Sequence, residues 1–161
     1  MKLLLATDDS QFSEAALRAV ISQNRPQQTQ VRVLHVMEPM GIVLSEIASA
    51  AGPESYPAEP FELERLRKEQ KKQASALVET RAEELKGAGF QAETAIGEGD
   101  PRVEIIDMAR EWSADLIVMG SHGRKGLDRF LLGSVSEYVA RHAHCSVEIV
   151  RMPAGARRAN P

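Results

Sequence analysis

One cysteine, Cys145, stands among 161 residues, which excludes an intrachain disulfide and a multi-cysteine zinc site. Neither charge sign dominates. Lys and Arg total 20 and Asp and Glu total 23, a net charge of -3 that argues against a nucleic-acid binder driven by bulk charge. No apolar run approaches the roughly 20 residues that a bilayer span needs, so no membrane partner is expected. The apolar start Leu3-Leu4-Leu5-Ala6 meets Asp8 and Asp9 too soon for a secretory core, and a reduced, cytoplasmic protein is expected. The chain also lacks a G-x-x-x-x-G-K-[ST] phosphate loop and a G-x-S-x-G nucleophile turn. Gly97-Glu98-Gly99 opens a G-x-G-x-x-G pattern, but Arg102 fills the third glycine position. No internal repeat of useful length occurs.

What is present is the balance of a folded domain, 43% hydrophobic and 27% charged, at a length that suits one domain. Residues 1–152 are expected to form it, with 153–161 as a flexible tail lacking any core-forming pattern. Short apolar runs predict strands at Leu3–Ala6, Val31–Val36, Ala92–Ile96, Leu116–Met119 and Val147–Val150. Between them, helical periodicity covers Ser10–Gln23, Pro60–Lys86, Pro101–Trp112 and Ser134–Ala143, with Gly87 expected to stop the second. The alternation predicts a doubly wound, open parallel α/β sheet with helices on both faces. Residues 38–60, with Pro39, Pro53, Pro57 and Pro60, read as a long loop holding a short helical turn near Leu44–Ala50.

The chemistry concentrates where the fourth strand ends, in Met119-Gly120-Ser121-His122-Gly123-Arg124-Lys125-Gly126, and again at Gly133-Ser134-Val135-Ser136. In an open α/β sheet, ligands bind outside the carboxyl ends of the strands. Gly120 and Gly123 allow a backbone to bend and approach a ligand, and Gly133-Ser134 opens a helix whose free N–H groups favour an anion. The Ser134 and Ser136 hydroxyls and the Arg124 and Lys125 charges suit phosphate. Ala6-Thr7-Asp8 ends the first strand, and Asp8 could accept from a ribose or a base, or hold magnesium through water. Asp8 and Asp9 also suit helix capping beside Ser10.

The spacing Gly120-x2-Gly123-x9-Gly133-Ser134 is similar to the ATP-binding signature of the universal stress protein family. Ala114–Arg124, Leu132–Ser136, Leu4–Asp8, His35-Val36 and Cys145–Arg151 resemble family wording, so the likeness spans about Met1–Met152. The resemblance implies a five-stranded sheet in the order 3-2-1-4-5 that holds ATP, often with a divalent ion. It places Ala6, Asp8 and Val36 at the adenosine end. Gly120 to Gly126 would wrap ribose and phosphates, and Ser134, Val135 and Ser136 would hold phosphates. It also implies a homodimer through the last strand, Val147–Val150, whose apolar edge would otherwise invite aggregation. Asp9 stands where many relatives carry glycine.

Other residues read more plainly. His35, at a strand end, reads as a hydrogen-bonded structural residue. His142 and His144 lack metal-ligand spacing, and Cys145 reads as a small buried hydrophobe. The charged run Glu62–Lys72 reads as a solvated helix face with pairs such as Glu64–Lys68. The expected function is an ATP-binding, stress-linked sensor or regulator with unknown protein partners. The alternatives are a slow ATPase or phosphotransferase, and a dimeric interaction module that uses no nucleotide.

Overall fold

The computed structural model describes residues 1–51, 60–123 and 132–152. Five strands form one parallel sheet: β1 Lys2–Ala6, β2 Gln30–Met37, β3 Gln91–Glu98, β4 Leu116–Gly120 and β5 Ser146–Val150. Their order is β3-β2-β1-β4-β5. The helices are α1 Gln11–Gln23, α2 Met40–Ala51, α3 Pro60–Gly87, α4 Pro101–Glu111 and α5 Ser134–His142. The chain starts at the centre, winds outward through β2 and β3, then crosses back to β4 and β5. Neighbours β1 and β4 therefore flank the switch point, with Ala6 in register with Met119.

Alternation along β1 sorts the helices between the two faces. Leu3 and Leu5 join Leu17, Val20, Val78, Leu85 and Phe90 in a core beneath α1 and α3. Leu4 and Ala6 join Ile105, Ile106, Trp112 and Val139 in a second core beneath α4 and α5. Leu3, Leu4 and Leu5 are all fully buried, because a central parallel strand is covered on both faces. β5, at the sheet edge, is only half-buried, unlike β1 and β4.

Two boundaries depart from the sequence reading. The segment after β2 is not a loop with one helical turn: residues Met40–Ala51 form a full helix. Pro39 brackets its start instead of breaking it, and its carbonyl accepts from Ile42 N–H at 2.9 Å. The rest of that segment, 52–59, and the tail, 153–161, lie outside the described residues. Gly87 does not stop α3 either; it is helical. The stop is Gly89, at φ 89°, in a left-handed conformation that costs glycine little. Its N–H donates to the Lys86 carbonyl and Phe90 N–H donates to the Leu85 carbonyl, while the Leu85 and Phe90 side chains are buried in one core.

Candidate functional site

A crevice of about 400 Å³ opens at the carboxyl ends of β1, β2 and β4, a size typical of small-molecule sites. From β1 and its exit it takes Ala6, Thr7 and Asp8. β2 supplies Val36, β4 and the segment after it supply Met119, Gly120, His122 and Gly123, and α5 supplies Gly133, Ser134, Val135 and Ser136. The structure thus brings these sequence-picked residues around one space, while Arg124, Lys125 and Gly126 lie outside the described residues. Six further residues line it: Ser13, Leu34, His35, Glu38, Pro101 and Ile105. Alternation along β2 could have found Leu34, which shares a face with Val36. Pro101 and Ile105 arrive on α4, whose placement depends on the crossover and leaves no local signal.

The exit of β1 is held by a chain of short bonds. Thr7 N–H donates to the Leu34 carbonyl at 2.8 Å. Asp8 Oδ1 accepts from Ser10 N–H at 3.0 Å and from Ser10 Oγ, and Ser10 in turn caps α1 by accepting from Ser13 N–H. Ser13 Oγ donates to the Asp8 carbonyl. The cap is therefore Ser10, and Asp8 braces it with one carboxylate oxygen. The other, Oδ2, lies 3.0 Å from where a Cβ on Gly123 would sit. That places a carboxylate beside the segment expected to wrap phosphates.

The signature glycines have packing reasons of their own. None of Gly120, Gly123 and Gly133 has a positive φ, so sharp bending is not what they supply. A Cβ on Gly120 would fall 2.7 Å from the Phe12 backbone, on Gly123 against Asp8, and on Gly133 3.1 Å from the Ser121 carbonyl oxygen. The Ser136 hydroxyl is likewise occupied: it is buried and donates to the Ser121 and Gly133 carbonyls, each at 2.9 Å. Ser121 Oγ lies 3.1 Å from His122 Nδ1, and the His122 ring packs on Phe12 with centroids 5.1 Å apart.

α5 opens differently from α1 and α4. Ser10 and Asp100 cap those helices with side chains, whereas Gly133 has no side chain to offer α5. The first-turn N–H groups of Ser134, Val135 and Ser136 stand at the crevice with the positive end of the helix dipole. Ser134 is exposed, so its hydroxyl is available. This donor set fits an anionic group.

The other end of the crevice suits a flat apolar body. Val36, Leu34, Ala6, Met119 and Ile105 belong to, or pack on, the core beneath α4 and α5. In a parallel ladder, successive residues direct their peptide groups to opposite neighbours. Leu34 faces β1, through the bond from Thr7, and Met37 faces the β3 side, where Gly99 N–H donates to its carbonyl at 3.1 Å. Val36 therefore turns its N–H and C=O toward β1, beyond that strand's last residue. The adjacent rim is tied down by Gln70 Nε2, which donates to the Glu38 carbonyl at 2.9 Å. Among the described residues, no three His, Cys, Asp or Glu side chains cluster to hold a metal ion. A magnesium ion here would be held by phosphate oxygens and water, with Asp8 as the nearby carboxylate.

Sheet order and switch-point crevice define a doubly wound α/β protein whose uncapped helix end faces that crevice. The model of the universal stress protein family matches residues 1–151, and the chain belongs to that family. It is 36% identical over 150 residues to universal stress protein YxiE of Bacillus subtilis, covering 93% of this chain and 98% of the relative. It is 33% identical over 154 residues to universal stress protein MJ0577 of Methanocaldococcus jannaschii, covering 93% of this chain and 94% of the relative. The solved structure of MJ0577 matches with a TM-score of 0.77 at 29% identity, over 96% of this chain and 97% of that one. A universal stress protein of Arabidopsis thaliana, solved with AMP bound, shares the fold with a TM-score of 0.66 at 20% identity, over 96% of this chain and 93% of that one.

Proposed function

We propose that this universal stress protein binds ATP, carried with magnesium, in the switch-point crevice and serves as a nucleotide-dependent regulator. The observation that carries this reading is the pairing of two complementary ends in one space. The uncapped start of α5, with Ser134 exposed, suits phosphates. The open Val36 peptide pair, beside an apolar wall, suits adenine, which offers an acceptor ring nitrogen next to a donor amino group. Guanine offers the reverse order, so ATP is favoured over GTP. AMP in the crystallised Arabidopsis relative agrees with an adenine nucleotide in this fold. Ala6 and Asp8 sit toward the adenosine. Gly120 and Gly123 line the ribose and phosphates.

In the same reading the working unit is a homodimer. Ser121 N–H donates to the Val150 carbonyl at 2.9 Å, so alternation turns the peptide groups of Val147 and Ile149 toward the open edge of β5. A second copy, related by a two-fold axis, satisfies them through the same segment, Val147–Val150. Among the described residues at the phosphate end, no water-activating base is evident beyond Asp8 and Asp9, which favours binding over rapid turnover.

Calorimetric titration with ATP and magnesium tests the reading, beside a Gly123→Val, Ser134→Ala double variant shown by circular dichroism to be folded. Binding is expected in the wild type, weaker for GTP, and lost in the variant. Absence of binding to the wild type, together with no co-purified nucleotide, overturns the reading. Rapid hydrolysis of labelled ATP replaces the regulator with an enzyme.

A further inference from the structure

β2 runs three residues past the last β1 residue in register, which is Ala6 opposite Leu34. The rung after Thr7 N–H to Leu34 C=O would carry Val36 N–H to the Thr7 carbonyl. That bond is not made. The Thr7 carbonyl accepts instead from the ring of His35, with Nδ1 at 2.9 Å. A carbonyl oxygen only accepts, so Nδ1 carries a hydrogen.

We propose that His35 is a positioning residue whose ring replaces Val36 at the Thr7 carbonyl and so keeps the Val36 N–H and C=O open for the edge of an adenine base. The inference rests on the ATP-binding reading and names what shapes its base subsite. Thr7 is 6% exposed, so a carbonyl left without the ring would draw the donor that continues the ladder, the Val36 N–H one rung along. Closure of that rung would take away the donor that meets the ring nitrogen of adenine. The same bond fixes the peptide that leads into Asp8, whose Oδ2 lies beside Gly123.

Amide exchange measured by NMR on the labelled wild-type protein tests this directly. In the ligand-free protein the Val36 amide is expected to exchange on the order of a hundredfold faster than the Leu34 amide, and to become protected when ATP and magnesium are added. A Val36 amide as protected as Leu34 without ligand would overturn the proposal. His35→Ala is expected to increase Val36 protection and to cut the preference for ATP over GTP by about tenfold, the worth of one hydrogen bond. His35→Asn, whose side-chain amide can donate from near the Nδ1 position, is expected to retain both properties. Equal losses for ATP and GTP in His35→Ala, with Val36 exchange unchanged, would reduce His35 to a structural role and overturn the proposal. If His35→Ala does not fold, the wild-type exchange comparison decides alone. Failure of the wild type to bind ATP would sink the nucleotide reading, while the ligand-free exchange of Val36 still decides whether His35 holds the rung open.

Discussion

The backbone carbonyl carbon of Phe12 lies 2.7 Å from the point where a Cβ on Gly120 would sit. The first turn of α1 is seated directly on the end of β4, and the obstruction is backbone, which cannot rotate away. Gly120→Ala is expected to destabilise the fold by about 1–3 kcal/mol, as overpacking does, by pushing α1 off the sheet. Urea denaturation measures it. An unchanged midpoint would mean that α1 shifts at no cost.

Ser134 and Ser136 divide their labour. The Ser136 hydroxyl is buried and joins the Ser121 carbonyl to the first turn of α5. Both carbonyls keep a second donor, Gly133 N–H on Ser121 and Glu137 N–H on Gly133. Ser136→Ala should therefore cost only about 1 kcal/mol of stability. Ser134→Ala, at an exposed position, should change stability by less than about 0.5 kcal/mol. It should weaken ATP binding by about tenfold, the worth of a hydrogen bond to a charged group. Calorimetry and thermal melts on the two variants separate holding the ligand from holding the helix.

Gly89 ends α3 at φ 89°, and a Cβ there would meet only ordinary contact, 3.6 Å from Pro26 Cβ. The cost of Gly89→Ala is therefore conformational, about 1–2 kcal/mol for a left-handed residue that is not glycine. Gly87→Ala, at the last residue of α3 with open space around it, is expected to stabilise by up to about 0.5–1 kcal/mol. Opposite signs from two glycines two residues apart would be read in one denaturation series.

Glu14 joins α1 to α3. Its carboxylate meets Arg18 at 3.0 Å and Arg81, from α3, at 2.8 Å. The hydrogen bond from Arg18, followed by the bond and charge of Arg81, holds its carboxyl below the usual glutamate range against the opposing effect of burial. A carboxyl whose folded value is depressed adds stability that is fully present above its unfolded value. That stability is lost as pH falls through the folded one. Melting temperature should decline on acidification, and Glu14→Gln should flatten part of that decline. An identical pH profile in the variant would remove Glu14 from the acid response.

Much of the fold and of the crevice is legible in the amino-acid sequence, because the signals are local. Each strand contains one of the short runs read from the sequence, Ser10 and Pro101 mark helix starts, and the glycine and serine spacing after β4 marks the crevice. The same locality explains the misses. Gly87 and Gly89 are equally plausible stops by composition, and only the φ angle and the Phe90 anchor choose between them. Pro39 reads as a loop marker, yet its carbonyl accepts the first bond of α2.

By itself, then, the sequence determined the five strands, the helices α1, α3, α4 and α5, and the strand ends that line the crevice, since periodicity and turn chemistry act over a few residues. Only the tertiary structure decided what each signature residue does. It assigned Gly120 to the seat of α1, the Ser136 hydroxyl to a buried clamp, and the second carboxylate oxygen of Asp8 to a place beside Gly123. It also set the His35 ring against Thr7, which leaves the Val36 peptide open. Those roles depend on atoms far apart in the chain that meet only when β1 lies between β2 and β4, and no local pattern records such a meeting.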